Sequence, residues 1–197
     1  MLRVISGDAK GRALYAPAGL TARPTSAMVR EALFNILNDV GGSTVLDLFA
    51  GTGAIGIEAL SRGAESAVFV DISRECIDII KKNIDKTGFE NKAEVFLCDA
   101  KKAIKILFEK RRAFDIIYID PPYDRPTEFL YEILKNVASI MNPTGVCIVE
   151  RRKSDASLGY DKLGFSEIKT KIYSNAQLVF LCYFLKTEIV LNKREGI

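Results

Sequence analysis

The sequence predicts an α/β protein: an open, seven-stranded, mostly parallel sheet with helices on both faces and an antiparallel strand at its C-terminal end. Three observations predict it. From residue 44 onward, short apolar runs alternate with stretches of helical period. A glycine-rich turn follows the first of these runs, and the last two runs, "FSEIKTKIY" and "QLVFLCYFL", have only "SNA" between them. Parallel strands need crossover helices, whereas a three-residue gap permits only a hairpin.

The elements follow in order. "TVLDLF" leads into a helix through "AIGIEALSR", and "SAVFV" into a helix from Ser73 with Cys76, Ile77, Ile80 and Ile84 on one face. "EVFLC" precedes a lysine-rich helix, Lys101 to Lys110. "FDIIYI" precedes a helix from Thr127 to Met141 that buries Phe129, Leu130, Ile133, Leu134 and Val137, and "GVCIVE" follows. Ahead of the sheet, "LRVIS" and "RALYA" form a small hairpin through "GDAKG". A helix capped by Thr25 or Ser26 and stopped by Gly41 comes next. The organisation is a basic N-terminal extension (1–24), one domain (25–186) and a tail (187–197).

At 197 residues and 48% apolar, the chain can bury one substantial core. The net charge is only +3, but residues 1–30 hold five cations, Arg3, Lys10, Arg12, Arg23 and Arg30, against Asp8 alone. That is a local basic segment suited to phosphate contact. The cysteines, Cys76, Cys98, Cys147 and Cys182, form no C-x-x-C pair, and three lie in strand-like runs, so they are expected to be reduced core residues of a cytoplasmic protein. No export signal and no apolar run of about 18 residues is present, which argues against membrane insertion. Histidine is absent, removing the commonest metal ligand and general base. No metal is expected, and any chemistry must use carboxylates, tyrosine, lysine or backbone.

Gly51-x-Gly53-x-x-Gly56 sits at a strand-to-helix turn, and Asp71 ends the next strand. This pattern suits a nucleoside cofactor, with glycines for close backbone approach and an acid for ribose hydroxyls. NAD fits it as a competitor. Asp47, immediately before the glycines, favours S-adenosylmethionine, because a carboxylate there suits an ammonium group and repels a pyrophosphate. Asp99 ends the third strand, placed to accept from an adenine amine.

The fourth strand ends in "DPPY". Prolines make this segment stiff and extended. An exocyclic base amine is a poor nucleophile, since its lone pair is delocalised into the ring. If the Asp120 carboxylate and the Pro121 carbonyl each accept an N–H, the nitrogen can pyramidalise toward an electrophilic methyl group. Tyr123 offers a face for a base taken out of its stack. Arg151 and Arg152, after the fifth strand, are further candidates for RNA contact beside the N-terminal Arg3, Lys10, Arg12 and Arg23, whereas Lys110, Arg111 and Arg112 fall on the opposite edge.

The chain resembles the class I S-adenosylmethionine-dependent amino-methyltransferases of Rossmann-like fold. More narrowly it resembles the RsmD family, guanine-N2 methyltransferases of bacterial small-subunit ribosomal RNA. "RVISGDAKGRAL", "RPTSAMVREALFNIL", "VLDLFAGTGAIGIEALSRGA" and "IDPPY" carry the resemblance. It implies that Gly51 and Gly53 line the cofactor, that Asp71 holds its ribose and Asp99 its adenine, with Asp47, Ile72 and Ala100 also in the cofactor site. Asp120, Pro121, Pro122 and Tyr123 hold the target base, and Thr25 approaches the methionine end. It implies the product S-adenosylhomocysteine, a ribosomal RNA or assembling-particle substrate, and a monomeric enzyme. An adenine-N6 methyltransferase shares the same chemistry. An NAD-dependent oxidoreductase leaves "DPPY" without a role, and a non-catalytic RNA-binding protein leaves the acids without one.

Overall fold

The computed structural model describes residues 2–17, 24–122, 125–155 and 158–183, with the side chains of 24–26 outside that set. Seven strands form one sheet in the order β3-β2-β1-β4-β5-β7-β6. These are β1 (Thr44–Asp47), β2 (Ser66–Asp71), β3 (Ala93–Leu97), β4 (Phe114–Ile119), β5 (Met141–Arg152), β6 (Phe165–Tyr173) and β7 (Ala176–Tyr183). β1 to β5 pair in parallel, and β7 inserts antiparallel between β5 and β6. The expected C-terminal hairpin is therefore present, and its last strand lies inside the sheet. Ser174, at φ 55°, makes the tight reversal.

The strands are buried on both faces, so they read as continuous apolar runs rather than as alternations. On one face α1 (Pro24–Leu37), α2 (Ala54–Ser61) and α3 (Arg74–Thr87) pack against Val45, Phe69, Tyr118, Ile148 and Leu178. On the other, α4 (Ala100–Glu109) and α5 (Thr127–Val137) pack against Leu46, Val68, Ile117 and Val149. Asn38, at φ 63°, ends α1 rather than Gly41, its N–H donating to Phe34 O at 3.0 Å. Thr25 and Ser26 lie inside α1, not at its cap, because Pro24 opens the helix where a missing N–H costs nothing.

Residues 2–14 form the expected narrow ladder, with an Arg3–Ala13 bridge and a Val4 N to Arg12 O bond of 3.0 Å. They are also fastened to the helices. Glu58 of α2 is fully buried, and its carboxylate accepts from Ile5 N at 2.7 Å, Ser6 N at 2.9 Å and Arg62 Nε at 2.9 Å. Ser61 accepts from Ala9 N through its hydroxyl at 2.9 Å and from Asp8 N through its carbonyl at 2.8 Å. A Cβ on Gly7 would sit 1.7 Å from Ser61 O, so this approach requires glycine. Asn83 of α3 accepts from Tyr15 N at 2.7 Å and donates to both Tyr15 O and Thr52 O. The same amide thus holds the N-terminal segment and the glycine loop.

Candidate active site

The carboxyl ends of β1 to β5 open onto a single cleft of about 1450 Å³. Asp47, Asp71, Asp99, Asp120 and Glu150 line it, one from the end of each successive strand in the order β1, β2, β3, β4, β5. Open α/β sheets bind ligands at this edge, where strand order reverses, here between β1 and β4.

The glycine loop forms one wall. Gly51 and Gly53 have φ of 54° and 76°, a conformation costly for other residues. Leu48 N bonds Tyr118 O and Ala50 N bonds Val70 O, tying the loop to the flanking strands. A Cβ built on Gly51 meets nothing within 4 Å, so the space before the loop is open for a ligand. Gly56 serves packing instead. A Cβ there would lie 2.3 Å from the Phe69 ring, so its absence lets α2 sit close on β2.

Asp71 accepts from Gly51 N and Ser73 N, each at 2.8 Å. An ionised carboxylate offers about four acceptor positions, which leaves capacity for two ribose hydroxyls. Ile72 beside it is 71% exposed and lines the cleft, an apolar surface suited to a ring. Asp99 caps α4, one oxygen accepting from Lys102 N at 3.0 Å, and Ala100 is buried behind it. Asp47 is 1% exposed and accepts from Gly56 N at 3.3 Å. Burial, with the Asp71 charge adding to it, pushes its carboxyl up to about 7 despite that bond.

Asp120, Pro121 and Pro122 follow β4 and line the cleft floor beside Tyr118. Tyr118 donates its hydroxyl to Glu150 Oε2. Burial first, then the charges of Glu150, Asp120 and Asp47, hold that phenol well above its ordinary value, so it remains a donor. Phe49 and Phe129 meet edge-on at 6.1 Å, and Arg125 lies 5.4 Å over Phe129, giving the mouth an aromatic and cationic wall.

The basic residues divide. Arg3 donates to Gly11 O, and Arg12 to Lys86 O at the C-terminus of α3, while Lys10 is exposed. Arg152 is exposed at the cleft mouth beside Lys153. Arg151, in contrast, is 5% exposed, bonded to Tyr160 Oη and 3.8 Å from Asp155, because residues alternate faces along β5. Lys110 and Arg112 pair with Glu94 away from the cleft. Cys147 alone among the cysteines is buried; all four are free thiols, and Cys76 and Cys98 line the cleft, Cys98 also packing against the core. Tyr123, Arg23, the Thr25 side chain and the tail 187–197 lie outside the described residues.

Sequence reasoning missed the places of Arg30, Tyr118 and Glu150. Arg30 is 2% exposed, donates to Arg3 O at 2.5 Å and lies 3.6 Å from Glu58. It also lines the cleft, and burial lowers its pKa despite Glu58.

A doubly wound sheet with a glycine loop and an acid at or near the carboxyl end of each of its five parallel strands has the class I methyltransferase fold. The chain belongs to the family described as conserved hypothetical protein 95, whose profile matches residues 2–182. Bacillus subtilis YlbH, named as a candidate rRNA methyltransferase, is 43% identical over 123 residues, 62% of this chain and 67% of that protein. Ribosomal RNA small subunit methyltransferase D of Escherichia coli K12 is 37% identical over 125 residues, 63% of this chain and 61% of that protein. The aligned stretch thus spans about three fifths to two thirds of these relatives' length. Among solved structures, an Escherichia coli methyltransferase candidate matches with TM-score 0.77 at 28% identity, over 93% of this chain and 98% of that one. A hypothetical protein from Thermus thermophilus matches with TM-score 0.76 at 27% identity, over 91% and 98%.

Proposed function

We propose that the protein is an RsmD-type enzyme that transfers a methyl group from S-adenosylmethionine to the exocyclic N2 amine of one guanine in small-subunit ribosomal RNA. The observation that carries the reading is the delivery of Asp120-Pro121-Pro122 to the floor of the cleft whose wall is the open glycine loop. When bound, the cofactor supplies an electrophilic methyl group on a sulfonium. Asp47 meets its ammonium, Asp71 its ribose, and Asp99, Ile72 and Ala100 its adenine. By resemblance to the family, Thr25, in the helix that follows the basic segment, is assigned to the methionine end.

The Asp120 carboxylate and the Pro121 carbonyl accept the two N–H bonds of the target amine, turning its lone pair toward the methyl group. The carboxylate also stabilises the positive charge that develops on nitrogen, an effect worth about 3 to 4 kcal/mol per group in comparable sites. Proline stiffness keeps both acceptors within about 0.5 Å of the required geometry. Pro122 and Tyr123 support the flipped base. Arg152, Lys153 and Arg125 hold phosphates around the mouth, with Arg3, Lys10, Arg12 and Arg23 of the basic segment extending the RNA contact. The reading takes the enzyme to act as a monomer, in the cytoplasm where ribosomal RNA is assembled. Among the described residues no helix is long and apolar enough to cross a membrane.

Incubation with labelled cofactor and undermodified small-subunit RNA, free or in particles, followed by nuclease digestion and mass spectrometry, tests the reading. N2-methylguanosine at one site is expected. N6-methyladenosine as the product refutes the guanine assignment.

A further inference from the structure

Asp120 and Pro121 recognise an amine, and an amine alone does not distinguish guanine from adenine or cytosine. Guanine differs in the neighbouring position: beside its N2 amine it carries the N1–H donor, where adenine and cytosine carry a ring nitrogen lone pair. A guanine site therefore needs a second acceptor next to the first.

The sheet supplies one. Ile119, the last residue of β4, pairs with Val149 of β5 in parallel register, so the chain leaves β4 at Asp120 alongside Glu150, the residue after Val149. Tyr118 lies two residues back along β4, and both carboxylates line the cleft. The Tyr118 hydroxyl donates to Glu150 Oε2, which fixes the plane of the carboxylate. A carboxylate offers about four acceptor positions, more than the Tyr118 hydroxyl uses.

We propose that Glu150 is the specificity-determining residue of the site, accepting the N1–H of the target guanine while Asp120 accepts from its N2 amine. This rests on the guanine-N2 reading above and deepens it. Tyr118 is the positioning residue: its phenol, held protonated by burial and by the surrounding carboxylates, aims the Glu150 oxygens along the base edge. Adenine entering the same slot would set its N1 lone pair against the carboxylate, leaving a desolvated anion facing an acceptor. The same repulsion meets cytosine at N3. Charge complementarity with one base edge and a mismatch with the others is how a buried polar site rejects near-isosteres.

The test replaces the target guanine in a synthetic RNA by 2-aminopurine, which keeps the C2 amine and has a lone pair at N1. The target position is taken from the product map of the wild-type enzyme. Wild type is expected to prefer guanine by on the order of 100-fold in kcat/KM. Glu150→Gln can turn its amide N–H toward the N1 lone pair, so the preference should shrink at least tenfold while affinity for S-adenosylhomocysteine stays unchanged. Tyr118→Phe keeps the charge on Glu150 and should keep the preference for guanine, with a higher KM for both RNAs. An unchanged guanine to 2-aminopurine ratio in Glu150→Gln, or cofactor binding lost with it, overturns the inference while leaving the guanine-N2 reading intact. A wild-type product other than N2-methylguanosine overturns both, and is read before either variant is made.

Discussion

Asp47→Asn should make the ligand-free protein more stable at neutral pH and a poorer binder of cofactor. Asp47 is 1% exposed and its carboxyl is raised from 3.8 to about 7, chiefly by burial. Below pH 3.8 it is protonated in both the folded and unfolded states and contributes no difference. Between 3.8 and 7 the unfolded chain ionises while the folded protein keeps its proton. The folded state then binds more protons, so stability falls as pH rises, and above 7 the full penalty is present. At about 1.4 kcal/mol per pH unit, a rise from 3.8 to about 7 is worth about 4 kcal/mol, a large share of ordinary domain stability. The asparagine amide keeps an acceptor for Gly56 N and carries a donor where the protonated carboxyl has its O–H. Urea denaturation should therefore show near-equal stability at pH 4 and a variant more stable by up to about 4 kcal/mol at pH 8. Calorimetry with S-adenosylhomocysteine supplies the opposite arm. Wild-type affinity should rise between pH 5.5 and 7, by up to about tenfold per unit, as Asp47 releases its proton to meet the ammonium, and the variant should bind weakly with a flat profile. A stability difference that does not change with pH, or an unaltered affinity, refutes the reasoning.

Asp120→Ala should leave cofactor affinity nearly intact and collapse methyl transfer; joint loss of both would remove it from the target-base role. Gly56→Ala should cost about 1 to 3 kcal/mol through its collision with Phe69, and adding Phe69→Leu should recover part of that; equal denaturation midpoints for wild type and the single variant would contradict the packing account. Neutralising Lys10, Arg152 and Lys153 should lower the slope of log K against log salt for RNA by roughly 0.7 to 0.9 for each phosphate no longer gripped, with cofactor affinity unchanged, and an unaltered slope would move the RNA surface elsewhere.

The order of strands and helices, the glycine loop and the four strand-end aspartates were legible because each rests on local period or spacing. What stayed hidden depends on partners far along the chain. Glu58 sits in an eight-residue, otherwise mostly apolar helix whose last six residues are all buried, and only its bonds to Ile5 and Ser6, 53 and 52 residues away, explain a carboxylate there. Arg30 looks like surface charge in a basic segment until Arg3 O and Glu58 enclose it. Arg151 misled for the opposite reason: "ERR" after a strand reads as exposed, but β5 runs to Arg152 and its alternation turns Arg151 inward. Glu150 had a usable signal. Extending the rule that strands here end at an acid from β4 to β5 would have found it.

The fastening of residues 2–15 has a consequence for how the molecule breathes. No named strand of the sheet includes these residues, yet their backbone amides end on the buried groups Glu58, Ser61 and Asn83. Peeling the segment away while the body stays folded would leave Glu58 with only its arginine partners, Asn83 with only Thr52 O and the Ser61 hydroxyl without Ala9 N and Ser6 O, at a penalty of about 1 to 3 kcal/mol for each neutral group left short and more for the charge. Partial fraying is thus dearer than its few bonds suggest, and the segment opens with the body as one cooperative unit. The amides of Ile5, Ala9 and Tyr15 should then exchange with solvent as slowly as those of β1; fast exchange at these three alone would mark the segment as a separate, looser part. Through Asn83, which also grips Thr52 O, the same unit includes the glycine loop. The loop's rigidity is therefore inherited from a stretch of chain nearly forty residues upstream.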